Sequence, residues 1–294
     1  MSGTIQQITA INANLGPAFR ANDFTKYRYT EFDGPVDGSV FAAVAGAPDL
    51  VALSGAPGVA VGDINSLFAG GYSWQYYVNG AFAGQVPQVV NNQDGLLLSL
   101  DAADNDGVEL APLLAQAITS VAGVHDGTMA IPSRAIDTFL AGTEDMFVRI
   151  KFKTEDVSAQ DFVSVGFRLA QIPQTTLAGY TDYYVLNLNN GTTETRSKLN
   201  NGTESVSVST EAVLDAGTVT YEVRINKARE AKALVNGAVV AAGQSGFIFD
   251  STDKLIPFLL VQNDGADAGA IAVQLWESGT WDQRNITSLT DITN

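Results

Sequence analysis

Val219-Thr-Tyr-Glu-Val-Arg-Ile-Asn226, followed by Lys232-Ala-Leu-Val-Asn-Gly-Ala-Val-Val240, decides the fold of this chain. In the first run Val219, Tyr221, Val223 and Ile225 share one face; Thr220, Glu222, Arg224 and Asn226 share the other. A period of two marks a sheet with one buried side. In the second run Asn236-Gly237 supplies two residues that accept positive φ, as a type I′ hairpin turn requires.

The same signal continues on both sides. Downstream, Phe247-Ile-Phe249, Leu255 to Gln262 and Ala270 to Trp276 read as strands. Upstream, Met146, Val148, Ile150 and Phe152 alternate with Phe147, Arg149, Lys151 and Lys153, so a core face backs a basic row. Phe162 to Leu169 groups Val163, Val165, Phe167 and Leu169. Tyr183 to Asn189, Thr193 to Leu199 and Glu204 to Ser209 follow, with hairpin signals at Asn190-Gly191 and Asn201-Gly202. Tyr72 to Gly80 reads as a strand entering a turn, and Leu96 to Leu100 as a buried strand. Glu109 to Val121 is different: Leu110, Leu113, Leu114 and Ala117 fall at helical spacing, but Pro112 sits early and Ala117 to Val121 would also serve as a strand, so the favoured expectation is a short helix or an irregular segment. No fixed-period repeat occurs, which disfavours a solenoid or propeller. Many short strands joined by turns predict an antiparallel sandwich or barrel.

Residues 1–40 lack a sustained period and are punctuated by Gly16-Pro17, Asp33-Gly-Pro35 and Asp37-Gly38. They are expected to form an irregular N-terminal extension or arm, ahead of a single sandwich domain over 41–294. Arg20, Lys26 and Arg28 in this lead-in nearly balance Asp23, Glu31, Asp33 and Asp37.

The 294 residues carry 32 Asp and Glu against 16 Lys and Arg, a formal charge of −16. Such a surface repels phosphate backbones and anionic bilayers, so neither nucleic acid nor membrane is an expected partner. With 46% apolar residues the chain can bury a large core, and with only 16% charged residues much of its surface must be neutral polar. There is no cysteine, which removes disulfides, thiolate metal sites and cysteine nucleophiles. The first residues are polar rather than a charged-then-apolar leader, and no apolar run reaches membrane-spanning length. Assembly in a cytoplasm and a soluble product are the expectation.

From Phe147 onward the strand order and phrases resemble the concanavalin-A-like, laminin-G-like jelly-roll sandwich. The phrases are Val219-Thr-Tyr-Glu-Val-Arg-Ile225, Leu234-Val-Asn-Gly237, Leu255-Ile-Pro-Phe-Leu259 and Ile271-Ala-Val-Gln-Leu-Trp276. A narrower likeness, on Phe147-Val-Arg-Ile-Lys-Phe-Lys-Thr-Glu-Asp-Val-Ser158, Val165-Gly-Phe-Arg168 and Tyr180-Thr-Asp182, is to structural proteins of tailed bacteriophages. That resemblance implies a mainly β, antiparallel jelly-roll sandwich. It also implies a non-enzymatic capsid decoration or cement protein on the outer head surface. Its partners would be the major capsid protein and copies of itself. The competing reading is a carbohydrate-binding module or receptor-binding fibre domain.

The residues themselves offer no catalytic, cofactor or metal set. Glycosidases that this sandwich resembles carry Glu-x-Asp-x-x-Glu along one strand, and the chain lacks it; Glu144-Asp145, Glu155-Asp156 and Glu277 stand isolated. Asp101, Asp104, Asn105, Asp106 and Glu109 form the densest acidic loop, but EF-hand spacing fails at Ala103 and Pro112, which favours a solvated turn. Asn263-Asp-Gly265 with Asp267 is a weaker loop of the same kind. His125 is the only histidine and has no Gly-x-Ser-x-Gly partner, so a turn role is simpler. Trp74, Tyr76 and Tyr77, and Tyr180, Tyr183 and Tyr184, are the aromatic clusters a sugar would need, while Trp276 and Trp281 read as packing. Alternation puts Tyr184, Leu186 and Leu188 in the core; Tyr183, Val185 and Asn187 share the other face, too apolar for free surface and suited to an interface. The Asn-x-Thr triplets at Asn190, Asn201 and Asn285 carry no weight, the first two being turn signals.

Overall fold

The computed structural model describes residues 27–32, 64–69, 72–79, 88–90, 95–99, 107–112, 138–154, 162–171, 173–174, 176–213, 217–240, 247–262 and 270–280. In chain order the strands are β1 (Tyr27–Glu31), β2 (Ile64–Ala69), β3 (Tyr72–Asn79), β4 (Gln88–Val90), β5 (Gly95–Ser99) and β6 (Gly107–Pro112). Next come β7 (Phe139–Leu140), β8 (Met146–Thr154), β9 (Phe162–Leu169), β10 (Tyr183–Asn189), β11 (Thr192–Lys198) and β12 (Ser205–Ala212). β13 (Thr218–Ile225), β14 (Ala231–Val235), β15 (Ala238–Val239), β16 (Lys254–Gln262) and β17 (Ala270–Thr280) complete the set.

They build an antiparallel β-sandwich of two sheets. Sheet A has eight strands in the order β15-β14-β13-β8-β17-β5-β4, with β1 added on β17. Sheet B has nine, in the order β12-β11-β10-β9-β16-β6-β3-β2, with β7 added on β16. Neighbours distant in sequence, such as β8 beside β17 and β6 beside β16, show that hairpins alone do not make the sheets.

The alternation read from the sequence sets the inner faces. Val148, Ile150 and Phe152 of β8 and Val219, Tyr221, Val223 and Ile225 of β13 meet Val163, Val165 and Phe167 of β9 and Tyr184, Leu186 and Leu188 of β10 in one buried core. Trp74 and Trp276 pack edge to face at 5.0 Å, and Phe152 meets Tyr221 at 5.2 Å. Each such ring contributes large buried area and a favourable edge-to-face term. A bulge between Val273 and Leu275 brings Trp276 into phase with Ile271 and Val273, which strict alternation would have opposed. Pro257 lies in β16 opposite Phe167 of β9, in the gap between the stretches of β16 that pair with β7 and with β6. Its missing N–H is therefore harmless there.

Several sequence expectations need correction. Gly107–Pro112 is a strand, so Glu109 to Pro112 is not the start of a helix; residues 113–121 of that segment lie outside the described residues. Every residue of β6 is buried, so Glu109 is no member of a solvated turn. The turn expected at Asn201-Gly202 has Asn200 and Asn201, both with φ of 52°, as its central pair; Gly202 follows and donates to the Leu199 carbonyl. Asn190-Gly191 and Asn236-Gly237 do hold positive φ, as expected. Phe247 to Phe249 forms only an isolated bridge, Glu230 to Ile248. Of the lead-in over 1–40, residues 27–32 are described, and Tyr27–Glu31 there is a strand of sheet A paired along β17; the rest lies outside the described residues.

Candidate functional surfaces

The outward side of sheet B is not open. Ala111, Leu177, Tyr180, Tyr183, Val185, Phe258 and Leu260 form a second buried cluster there. The short 3-10 turn Leu177–Gly179 leads Tyr180 over this face, where its ring meets Phe258 at 5.8 Å. Arg168 of β9 lies against both rings, its guanidinium 4.6 Å from the Tyr180 ring centre and 5.6 Å from that of Phe258. It donates to Glu109 Oε1 at 2.5 Å and to the carbonyls of Leu169 and Gln171 at 3.0 and 2.9 Å. The Tyr180 hydroxyl donates to the other oxygen of Glu109 and receives the Gln174 N–H at 2.9 Å. Burial is the largest single influence and works against the Arg168 charge, but Glu109 and Tyr180 together outweigh it and keep the guanidinium protonated. Burial pushes the Tyr180 hydroxyl well above its usual range, so it stays a donor. This is a sealed structural cluster, with each polar group committed inward except the Arg168 Nε.

Further along the same face, Ser164 donates to Asn187 Oδ1 at 2.7 Å, and Asn187 and Asn189 both donate to Glu194. Arg196 joins Glu194 at 2.9 Å, and Tyr183 donates to Glu204 at 2.6 Å. Burial and then the Glu204 contact raise the Tyr183 hydroxyl far above its ordinary value.

The outward side of sheet A carries a ladder of charge. Antiparallel register sets Glu277 of β17, Arg149 of β8 and Glu222 of β13 side by side. Arg149 Nε donates to Glu222 Oε2 at 3.0 Å and its Nη1 approaches Glu277 Oε2 at 3.4 Å. Arg224 adds a 2.6 Å bond to Glu222, and Tyr27 donates to Glu277 at 2.9 Å. Both carboxylates are only 1% exposed, so these arginines neutralise groups that would otherwise be costly to bury. Lys151 and Lys153 continue the row on β8, and Lys232 lies beside Arg224 on β14.

A third grouping sits where Asp182, Asp250 and Asp253 converge. Asp182 accepts the Asn200 N–H, Asp250 accepts the Asn200 side-chain amide at 3.0 Å, and Asp253 accepts the Asp250 N–H at 2.9 Å. Burial first, then the neighbouring aspartates, raise the Asp253 carboxyl from 3.8 to about 6. A raised acid binds more protons folded than unfolded, so its contribution is present at low pH and lost as pH rises from about 4 through 6. Asp253→Asn keeps an acceptor for the Asp250 N–H and removes this penalty. The variant is expected to be about 1–2 kcal/mol more stable at pH 7.5, allowing for solvent screening, and equal to the parent at pH 3.5. Urea unfolding at the two pH values checks this, and a pH-independent difference would refute it. No group of three or more His, Asp or Glu placed to hold a metal ion occurs among the described residues.

The aromatic candidates for sugar stacking are buried. Trp74, Tyr76 and Tyr184 lie in the main core, and Tyr180 and Tyr183 in the outer cluster. Burial pushes the Tyr184 hydroxyl up to about 12. The face of Tyr183, Val185 and Asn187, expected at an interface, is covered within the chain itself. Asp145 accepts the Lys227 N–H at 2.8 Å in a turn, which is a structural use. Asp101 to Asp106, His125, Glu155-Asp156, Asn263 to Asp267, Trp281 and Asn285 lie outside the described residues. Glu109, expected in a solvated turn, and Glu277, expected to stand isolated, are both buried in ion pairs, and Glu222 had no expected role beyond its strand face; the signal they share is an acidic residue within an apolar strand.

No family model and no curated protein matches this chain. Among solved structures it is similar to a protein of unknown function from Shewanella oneidensis MR-1, at 13% identity and a TM-score of 0.48 over 88% of each chain. It is also similar to the Emp47p carbohydrate recognition domain, at 14% identity and a TM-score of 0.44 over 70% of this chain and 88% of that one. A third likeness, at 13% identity and a TM-score of 0.42, is to the botulinum neurotoxin serotype D binding domain; it covers 74% of this chain and 46% of that one. These likenesses are too distant for a function to be drawn from them, and the chain's own two-sheet antiparallel sandwich stands on its strand pairing.

Proposed function

We propose that this chain is a non-enzymatic structural protein of a tailed-bacteriophage virion, a decoration protein on the outer head surface. Its partners in this reading are the major capsid protein and copies of itself, and it is assembled in the host cytoplasm. One observation carries the reading beyond the phrase resemblance: the segregation of charge on sheet A. On a chain of net charge −16, Arg149, Lys151, Lys153, Arg224 and Lys232 share one sheet face against Glu31, Glu222 and Glu277. A locally basic face on an acidic body fits an acidic partner surface and orients the chain on it. Seating that face on the shell turns the excess negative charge outward, away from packaged DNA. Repeated over a lattice, modest contacts add up through avidity.

The test uses particles. Mass spectrometry of density-purified virions is expected to find the chain, and cryo-microscopy to place it outside the shell with sheet A inward. The pair Lys151→Glu and Lys153→Glu should leave the fold intact and reduce incorporation about tenfold or more. Absence from purified particles, or density on the DNA side, refutes the proposal. Saturable binding on a glycan array would replace it with the carbohydrate reading, which the buried tyrosines do not favour.

A further inference from the structure

We infer that β12 is a self-association edge, through which a second copy of this chain continues sheet B by antiparallel pairing about Ser207. The inference stands independently of the virion reading, because it concerns the isolated protein.

β12 ends sheet B, and β11 is its one neighbouring strand among the described residues. Natural sheet edges are usually short or guarded by charge, proline or a bulge. Here the run Ser205-Val-Ser-Val-Ser209 carries no charge and no proline. The one register shift on this edge lies between Val208 and Ala212, opposite Thr192 to Glu194, so regular pairing with β11 covers Ser205 to Val208. Val206 and Val208 are 46% and 58% exposed, among the most exposed large apolar residues described.

The backbone has the right direction. Ser207 lies opposite Thr195, whose Oγ1 donates to the Ser207 carbonyl at 3.4 Å, so that carbonyl points toward β11. In an antiparallel strand the next residues turn their N–H and C=O the other way. Val206 and Val208 therefore direct theirs to the open edge.

The occupant follows from the pattern, which reads the same in both directions about Ser207. Pairing centred there sets Val206 against Val208 of the second copy and Val208 against its Val206. Centring on Val206 would instead oppose Val208 to Glu204, and centring on Val208 would oppose Val206 to Thr210. The next strand inward agrees. Val206 pairs with Arg196 and Val208 with Glu194, so each row across the two-fold begins at an arginine and ends at a glutamate. No like charges face each other along the joint.

The chain has no cysteine, which makes the register directly testable. Centred pairing makes Ser207 face its own copy as a non-hydrogen-bonded pair, with Cα atoms about 4.5 Å apart, close enough for a disulfide. The Ser205 residues of the two copies would be about 13 Å apart, beyond disulfide reach. Under mild oxidation, full-length Ser207→Cys is expected to form covalent dimer about tenfold faster or more than Ser205→Cys. Adding Val208→Lys to Ser207→Cys should abolish that advantage, because a charge on an edge strand opposes pairing. Sedimentation of the cysteine-free parent at rising concentration should show a monomer–dimer equilibrium that Val208→Lys shifts to monomer, with circular dichroism unchanged. Equal cross-linking of the two cysteine variants, insensitivity to Val208→Lys, or a parent that stays monomeric would each overturn the inference.

Discussion

Arg168→Met is expected to remove about 3–5 kcal/mol of folding stability, because it strands a buried carboxylate. Glu109 is 2% exposed and faces the fully buried Arg168 across sheet B at 2.5 Å. The charge-assisted bond and the stacking against Tyr180 and Phe258 offset the desolvation of both ions. With the guanidinium gone, the Tyr180 hydroxyl alone cannot replace that compensation. Glu109→Gln should be costly too, since it leaves the guanidinium without its counter-ion, although the amide still accepts from Tyr180. The double variant should recover a substantial part of the loss, giving a coupling energy of about 2 kcal/mol or more in a double-mutant cycle. Urea unfolding of the four proteins measures it. A single-variant cost below about 1 kcal/mol, or additive costs, would show that solvent reaches the pair and that the face is not sealed.

That cluster also shows why the site was harder to read than the fold. In β8 and β13 only one face is apolar, so the period of two stands out and the strands are visible from the sequence alone. β6 is buried on both faces, and its Gly-Val-Glu-Leu-Ala-Pro run offers no contrast between them. Glu109 resembles a solvated acid until a partner 59 residues away is known. The same holds for the ladder on sheet A. The basic row Arg149, Lys151 and Lys153 is legible, but Glu222 and Glu277 reach Arg149 only through the strand order β13-β8-β17. Turns were legible where sequence and steric demand coincide, as at Asn236-Gly237. At Asn200-Asn201-Gly202 three adjacent residues tolerate positive φ, and the register of β11 on β12 decides between them. Ion pairs and registers are tertiary facts, whereas hydrophobic period is a local one.

Gly166→Ala is expected to be among the most damaging single-methyl additions in the chain, at about 3 kcal/mol or more. Gly166 sits in β9 between Val185 of β10 and Phe258 of β16. A Cβ there would lie 2.1 Å from the Tyr184 carbonyl oxygen and 2.8 Å from the Val185 Cα. Both obstacles are backbone, so no rotamer change can relieve them; β9 and β10 would have to part. Glycine inside a strand ordinarily weakens it, and here it marks a close approach of two backbones. Parting them would disturb Arg168 two residues on, whose bonds to Glu109 depend on that spacing. Gly237→Ala supplies the comparison. Its φ of 83° lies in an exposed hairpin turn, so the cost there is conformational, about 1 kcal/mol, and leaves the core untouched. Urea unfolding should therefore separate the two variants by about 2 kcal/mol. Near-UV circular dichroism should change for Gly166→Ala alone, through the displaced Tyr180 and Tyr184. Equal costs for the two variants would show that β9 can shift without strain, and that the packing between β9 and β10 does not fix the position of Arg168.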